Sequence, residues 1–230
     1  MVEHTVRAYE EELEALTAEL SRMGGLAEVE VGDAIRAIAR RDVALAQAVI
    51  GRDARLDEIE VDIERRAIRL IALRQPVADD LRRTVAALKI SMNLERCGDL
   101  AKNIAKRALV IAEDDPINPP IRSIERMGEL VAGRLKDVLD AFAARDIDRA
   151  KAVWQRDQEV DEHYDSIFRE LLTYMMGDPR TITSCAHLLF VAKNLERIGD
   201  HATNIAELIL YEVTGEAITD QRPKIDSLER

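Results

Sequence analysis

The chain has 230 residues and a formal net charge of −11, from 33 Lys and Arg against 44 Asp and Glu. Nucleic-acid-binding proteins usually carry a basic surplus, so this charge balance argues against nucleic acid as a partner. Aromatic residues make up only 3% of the chain, and Ala, Leu, Ile, Val, Glu and Arg dominate, a composition typical of long packed helices. We therefore expect an all-α protein.

Three features predict a cytoplasmic protein. The first segment, MVEHTVRAYEEELEAL, has acidic residues where a signal peptide would carry its apolar stretch. No run approaches the roughly 18 apolar residues that a membrane helix requires, so membrane association is expected only peripherally, through partners. Cys97 and Cys185 lie far apart among apolar neighbours, without a C-x-x-C motif. We expect both to be buried, reduced thiols.

Apolar residues at helical spacing, interrupted by helix-breaking residues, predict three long helices in each half of the chain. The expected spans are 5–40, 42–74, 77–112, 118–144, 147–176 and 179–213. Asp42 and Asp146 are predicted N-caps, and Pro76 and Pro179 are predicted first-turn prolines. Larger side chains of the second half are assigned to the core, namely Trp154, Phe168, Tyr174, Met175 and Met176.

A proline-rich segment, EDDPINPPIR, separates the two sets of helices, and the chain becomes polar beyond Thr214. These changes in composition mark three parts. The expected division is a first repeat over 1–115, a second repeat over 116–214, and a flexible C-terminal tail over 215–230.

The two halves repeat one another. MGGL at Met23 corresponds to MGEL at Met127, an offset of 104 residues. NLERCGDLAKNI at Asn93 recurs as NLERIGDHATNI at Asn194, an offset of 101 residues. Such duplication, with short connections that make successive helices antiparallel, predicts two tandem pseudo-symmetric antiparallel three-helix bundles.

Each repeat carries two acidic pairs at a spacing of four residues, which places both members of a pair on one helix face. Asp57 lies 19 residues before Pro76 and Glu95 lies 19 after it, while Asp53 and Asp99 each lie 23 residues away. If Pro76 marks the tip of a helical hairpin, both pairs reach the same height. The four carboxylates of the first half are therefore expected to converge.

The second half repeats this arrangement around Pro179 to within one residue. Two like charges about 4 Å apart repel by roughly 4 kcal/mol even at an effective dielectric constant near 20, so such acids must be protonated, paired or metal-bound. Oxygen ligands favour Mg, Mn, Fe or Ca over a thiolate zinc site. The predicted metal ligands are Asp53, Asp57, Glu95, Asp99, Asp157, Asp161, Glu196 and Asp200.

Two alternatives to a metal site stay open at this stage. The acids have Arg neighbours with which they could simply pair on a solvated helix face, namely Arg52, Arg96, Arg156 and Arg197. Gly98 and Gly199 border the acidic faces, where a missing side chain leaves room either for a ligand or for a closely packed helix.

The two acidic motifs differ in their later residues. Leu100 and Lys106 of the first repeat correspond to His201 and Glu207 of the second, and Thr203 also lies on the second acidic face. An added carboxylate in place of an ammonium predicts that the second repeat holds metal more strongly.

The duplicated motif E-R-x-G-D-x-x-x-N-I resembles the PhoU family, as do MGGLAEVEVGDAI, RQPVADDLR, DVLDAFAARDID and LLTYMMGDPRTI, together covering roughly residues 5–214. The resemblance implies two tandem three-helix bundles, dimers or larger oligomers, and no enzyme activity. It also implies multinuclear metal sites on E(D)-x-x-x-D motifs at the eight positions named above, with Fe, Mn, Mg or Zn as the metal.

The same resemblance implies a negative regulator of the phosphate-starvation response and of phosphate uptake. The implied partners are a sensor histidine kinase and the ATPase of a phosphate ABC transporter. The alternatives are a metal-free helical interaction scaffold and a di-iron oxidase, whose bundle uses E-x-x-H segments. None of the four His residues follows a Glu at that spacing.

Overall fold

The computed structural model describes residues 2–113 and 118–216. Within those residues the chain forms eight α-helices and one short 3-10 turn, without a strand. The predicted boundary between residues 115 and 116 lies outside the described residues, as does the predicted tail from residue 217 onwards. The expectation of an all-α protein is confirmed.

In the first repeat the helices are α1 (Val2–Arg40), α2 (Val43–Arg52), α3 (Ala54–Arg74) and α4 (Asp79–Ile111). In the second repeat they are α5 (Asn118–Ala144), α6 (Ile147–Gln155), α7 (Gln158–Gly177) and α8 (Ile182–Thr214), with the 3-10 turn Pro179–Thr181 directly before α8. The predicted N-caps are confirmed: Asp42 accepts a hydrogen bond from the Leu45 amide and Asp146 accepts one from the Arg149 amide.

The middle helix of each repeat is broken, where the sequence predicts it to be continuous. Asp53 separates α2 from α3, and Asp157 lies at the corresponding break before α7. Neither carboxylate caps the helix that follows it. Asp53 instead pairs with Lys102 of α4, and Asp157 accepts a hydrogen bond from Thr203 of α8. The break therefore lets each carboxylate turn inward and reach a neighbouring helix.

The α3–α4 connection is longer than predicted. Pro76 lies in the loop rather than in the first turn, because α4 begins three residues after it. Gln75 and Ala78 on either side have positive φ angles of 47° and 48°, a region that is unfavourable for residues with a side chain. Pro179 does stand in a first turn, that of the 3-10 helix.

The four long helices form the centre of the molecule. Helices α4 and α8 pack against each other, α1 covers α4, α5 covers α8, and α1 also contacts α5. Helices α2 and α3 flank the first repeat, and α6 and α7 flank the second. One hydrophobic core runs through both repeats, so the two halves are buried against each other.

Reciprocal contacts between α1 and α5 show that the repeats are related by a pseudo-two-fold axis. A Cβ atom added to Gly24 would lie 2.5 Å from Leu139 Cδ2, and one added to Gly128 would lie 2.7 Å from Ile35 Cγ2. Both the glycines and their partners are separated by the repeat offset of 104. The two helices approach closely because each glycine admits a large side chain of the other repeat.

Burial confirms some core predictions and overturns others. Cys97 and Cys185 are buried and not joined in a disulfide, as expected. Phe168 and Met176, in contrast, are 40% and 80% exposed, so their assignment to the core is wrong. Helix α7 buries a different face, which carries Val160, Ile167 and Leu171. Within the described residues, no helix is both long and apolar enough to cross a membrane.

Candidate metal centres in the two repeats

The four acids predicted for the first repeat come together between α3 and α4. The pKa of Asp57 is raised, first by loss of solvent and then by the charges of Asp53 and Asp99. The pKa of Glu95 is raised to about 7, mainly by burial, with further contributions from Asp99 and Asp57 and an opposing one from Arg96. Asp57 thus lies close enough to Asp53 and Asp99, and Glu95 close enough to Asp99 and Asp57, for their charges to interact.

A fifth acid, Glu30 of α1, completes this group, which we call the first cluster: Glu30, Asp53, Asp57, Glu95 and Asp99. Glu30 is only 3% exposed, and its Oε2 atom has no hydrogen-bond partner among the described residues. Burial raises its pKa to about 7, and the charge of Asp53 adds to the effect. The sequence signal for this residue is a charge on the buried face of α1, between Ala27 and Val31.

The first cluster has one partly buried cation. Lys102 of α4 forms an ion pair with Asp53, and this hydrogen bond raises the pKa of Lys102. Arg96, whose side chain is 61% exposed, lies 3.5 Å from Glu95 and 3.4 Å from Asp99 at the rim. Solvent screens exposed ion pairs of this kind, although the charge of Arg96 affects the pKa of Glu95 more than that of any single acid does. Protein cations therefore compensate the five carboxylates only in part.

The second cluster consists of Asp157, Asp161, Glu196 and Asp200, and it contains a buried guanidinium. Arg134 of α5 is 2% exposed; its Nη1 atom donates to the backbone carbonyl of Asp157 at 3.4 Å and lies 4.0 Å from the Asp157 carboxylate. Burial lowers the pKa of Arg134, while Asp157, Glu159 and Asp161 oppose that effect. The α7 acids of this cluster therefore have a cation supplied by the fold.

The α8 acids of the second cluster have a separate cation. Lys193 donates to Glu196 Oε1 at 2.7 Å. Burial lowers the pKa of Lys193, but the ion pair with Glu196, helped by Tyr164 and Asp200, outweighs it and raises the pKa overall. Asp157 is held by Thr203, whose Oγ1 donates to Asp157 Oδ1 at 2.7 Å. The second cluster is thus divided into two pairs that are compensated only in part: the Lys193 side chain is 51% exposed, and Asp157 Oδ2 and Glu196 Oε2 are buried without a hydrogen-bond partner among the described residues.

Aligning the repeats shows why the clusters differ. At the offset of 104, Glu30 corresponds to Arg134, and at the offset of 101, Lys102 corresponds to Thr203. The first repeat therefore contributes an acid from α1 and a cation from α4, whereas the second contributes a cation from α5 and a hydroxyl from α8. A buried cation competes directly with a metal ion, so this geometry favours metal in the first cluster, opposite to the sequence-based expectation.

The expectation of stronger metal binding in the second repeat rested on His201, Glu207 and Lys106. All three residues lie at the α4–α8 interface. His201 Nδ1 is 2.9 Å from Asn93 Oδ1 of α4, and burial lowers the pKa of its ring. Glu207 accepts a hydrogen bond from the Trp154 indole at 3.1 Å and lines a cavity between α4 and α8. Lys106 lines a second cavity along the same interface.

The two glycines beside the acids serve helix packing. A Cβ atom added to Gly98 would meet the Leu56 side chain of α3, and one added to Gly199 would lie 3.3 Å from Val160 Cγ1 of α7. The added Cβ atom of Gly98 would also lie 3.4 Å from Glu30 Oε2. Close helix approach therefore explains both glycines, and at Gly98 it also brings the α4 backbone up to the first cluster.

The oxygen donors of the first cluster fit a hard cation in their chemistry, since Glu30 Oε2 lacks a partner and the neighbouring acids repel one another. As the side chains lie, no group of three or more His, Cys, Asp or Glu residues in the described part of the chain is arranged to hold a metal ion. Binding there would require rotation of side chains such as Asp57 and Glu95 toward a common point. The second cluster also has buried carboxylate oxygens without a partner among the described residues, Asp157 Oδ2 and Glu196 Oε2. It fits a cation less well because the buried Arg134 guanidinium already lies beside Asp157.

Comparison with known proteins identifies this architecture. Residues 20–108 and 124–209 each match the family model described as PhoU domain, in agreement with the two repeats. A Caulobacter vibrioides (strain NA1000 / CB15N) protein named phosphate-specific transport system accessory protein PhoU homolog is 69% identical over the full length of both chains. A Rhizobium meliloti protein of the same name is 51% identical over 97% of this chain and 94% of its own.

Solved structures have the same fold. The crystal structure of PhoU from Pseudomonas aeruginosa superposes with a TM-score of 0.88 at 40% identity and covers 90% of this chain and 100% of its own. The phosphate transport system regulatory protein PhoU from Streptococcus pneumoniae gives a TM-score of 0.84 at 29% identity, with 91% and 99% covered. The expected pair of three-helix bundles is therefore confirmed, with the middle helix of each broken at an aspartate.

Proposed function

This chain belongs to the PhoU family, and from that premise we propose that it is a negative regulator of phosphate uptake and of the phosphate-starvation response. It acts by contact with a sensor histidine kinase and with the ATPase of a phosphate ABC transporter. The observation that carries this proposal is the 69% identity, over the whole chain, to a protein named as an accessory protein of phosphate-specific transport. We further propose that it works in the cytoplasm as a homodimer or larger oligomer.

The surface supports a role in protein contact. Apolar side chains are exposed near the ends of both helical hairpins, including Leu73 and Val77 in the first repeat and Met176 and Ile182 in the second, at 48% to 80% exposure. Exposed apolar side chains that gather on one part of a surface are typical of interaction sites. They give a regulator of this kind two similar contact regions, one from each repeat.

The acidic clusters are proposed to bind cations with unequal strength. The first cluster would hold Fe, Mn, Mg or Zn through Asp53, Asp57, Glu95 and Asp99, with Glu30 as an additional acid. Lys102 compensates only part of the negative charge of the first cluster, and a bound cation would compensate the rest. The second cluster, with Asp157, Asp161, Glu196 and Asp200, would bind metal weakly because Arg134 and Lys193 already compensate it.

Genetic deletion tests the regulatory role. Loss of this protein should derepress phosphate uptake and a phosphate-starvation reporter in phosphate-rich medium, and expression of the intact chain should restore repression. Uptake and reporter activity that do not change on deletion would refute the proposal. Complementation with Asp53→Asn/Asp99→Asn, beside Asp157→Asn/Asp200→Asn as the matched variant, separates the contributions of the two clusters.

A metal-free interaction scaffold is the second candidate, and the ion pairs of Arg134 and Lys193 favour it for the second repeat. Elemental analysis of the purified protein distinguishes the two possibilities. Metal that is retained by the intact chain and lost from Asp53→Asn/Asp99→Asn supports the cation site. Absence of bound metal from both proteins supports the scaffold, and oxygen consumption tests the remaining oxidase alternative.

A further inference from the structure

Two cavities lie along the α4–α8 interface, and the repeat relates them. The Glu207 cavity, of about 480 Å³, is lined among others by Lys89, Asn93, Asn204 and Glu207. The Lys106 cavity, of about 460 Å³, is lined by Asn103, Lys106, Arg107, Val110, Phe190 and Asn194. The two are similar in size and lie on opposite sides of the pseudo-two-fold axis.

The repeat offset of 101 relates six of the seven residues that line the Glu207 cavity to the six that line the Lys106 cavity. The two amides are kept, since Asn103 corresponds to Asn204, and Asn194 to Asn93. The charges are not kept: Lys106 stands where the other cavity has Glu207, and the adjacent Arg107 corresponds to Leu208. The Glu207 cavity therefore balances one acid with Lys89, whereas the described lining of the Lys106 cavity holds two cations and no acid.

Neither cation of the Lys106 cavity has a carboxylate partner among the side chains that the structure describes. Across residues 9–113 and 120–216, whose side chains the structure describes, no ion pair joins Lys106 or Arg107 to an Asp or Glu. The amide side chains of Asn103 and Asn194 likewise form no hydrogen bond with another residue in that part of the chain. In a protein with a net charge of −11 and abundant acids, two uncompensated cations in one concave site are unusual.

Arg107 is held in place by contacts from α8. Its guanidinium lies 4.6 Å from the centroid of the Phe190 ring, and its Nη1 atom is 3.1 Å from His187 Nδ1. Arginine can only donate, so His187 Nδ1 accepts this hydrogen bond. These two contacts orient the planar guanidinium at the cavity and leave its other N–H groups available for a ligand.

We propose that the Lys106 cavity binds a phosphate-type oxyanion, either free inorganic phosphate or the phosphate group of a small metabolite. An ammonium, an oriented guanidinium and two amide groups supply the charged and neutral donors that such an anion requires. The inference goes beyond the regulatory role proposed above and does not depend on it, because it rests only on the lining of this cavity.

Isothermal titration of the purified full-length chain with inorganic phosphate and, separately, with ATP tests the inference. The decisive variant is Lys106→Glu/Arg107→Leu, which places at this cavity the two residues that stand at 207 and 208. Lys89→Glu is the matched control for Lys106→Glu, because it makes the same change of charge in the Glu207 cavity. Lys106→Glu alone, at an exposed side chain, serves if thermal unfolding shows that the double variant is destabilised.

The intact chain should bind one of the two anions saturably at one site per chain, and the Lys106 variants should weaken that binding by about tenfold or more. Lys89→Glu should leave it within about twofold. Binding of inorganic phosphate identifies the free ion as the ligand, and binding of ATP alone identifies a metabolite. Failure of both anions to bind, equal binding by the Lys106 variants, or an equal loss in Lys89→Glu would overturn the inference.

Discussion

The buried carboxyl of Glu30 makes the electrostatics of the first cluster measurable. Its pKa rises from 4.5 to about 7, mainly through burial and then through the charge of Asp53. At about 1.36 kcal/mol per pH unit, that difference corresponds to roughly 3 kcal/mol of folding free energy. Glu30→Gln replaces the carboxyl by a neutral group of similar shape, and it should remove this pH dependence.

The direction of the change in stability with pH depends on whether the folded or the unfolded protein binds the proton of Glu30 more tightly. Because the pKa of Glu30 is higher in the folded protein, the stabilisation from its proton is complete below about pH 4.5 and is lost as the pH rises through about 7. Glu30→Gln should therefore match the intact chain at acidic pH. At pH 8 it should be more stable by up to about 3 kcal/mol, since the intact chain must then bury a charge.

Urea unfolding at about pH 4 and at pH 8, in buffer with a metal chelator, measures this difference. The chelator keeps a bound cation from neutralising the carboxylate. Glu58→Gln is the control, because that α3 side chain is 68% exposed and should follow the intact chain at both pH values. A Glu30→Gln protein that is equally or less stable than the intact chain at pH 8 would refute the reasoning.

Three further outcomes are expected. Lys102→Thr introduces the residue that the second repeat has at this position. It should tighten Mn²⁺ binding at the first cluster by about tenfold in a calorimetric titration, because a competing positive charge is removed. Unchanged affinity would contradict this. Arg134→Glu, the converse exchange, should lower the melting temperature in chelator, and added Mn²⁺ should restore part of the loss; a melting temperature that does not respond to Mn²⁺ would count against it. Gly25→Ala should stabilise the protein by up to about 1 kcal/mol in urea unfolding, because nothing lies within 4 Å of the added Cβ atom. Gly24→Ala should destabilise it by about 1 to 3 kcal/mol, because the added Cβ atom meets Leu139. Equal effects of the two substitutions would show that α1 and α5 do not pack as described.

Much of the fold can be predicted from the sequence because the two halves of the chain repeat the same pattern. The repeat offsets, the apolar spacing and the caps at Asp42 and Asp146 predict the all-α architecture and most helix ends. The breaks at Asp53 and Asp157 were missed, because each Asp lies in a segment whose apolar spacing continues through it. Only the tertiary partners, on α4 and α8, show why the chain interrupts its helix there.

The candidate site was predicted in part. Equal sequence distances from the hairpin tip predict that the acids before and after it lie close together, because residues at equal distances from a turn lie at equal heights. Glu30 and Arg134 were missed, since they come from helices outside those hairpins. The cation of the first cluster was also misassigned: Lys102 and Lys106 share a helix face, and only packing shows that Lys102 reaches Asp53 while Lys106 lines the interface with α8.

Direct binding of the purified chain to the transporter ATPase and to the cytoplasmic part of the sensor kinase tests the central claim. Measurements with Mn²⁺ and with a chelator, on the intact chain and on Asp53→Asn/Asp99→Asn, show whether the first cluster affects docking. The account predicts saturable binding to both partners, weakened by the chelator and by the variant. Failure of the intact chain to bind either partner in the presence of Mn²⁺ would contradict it.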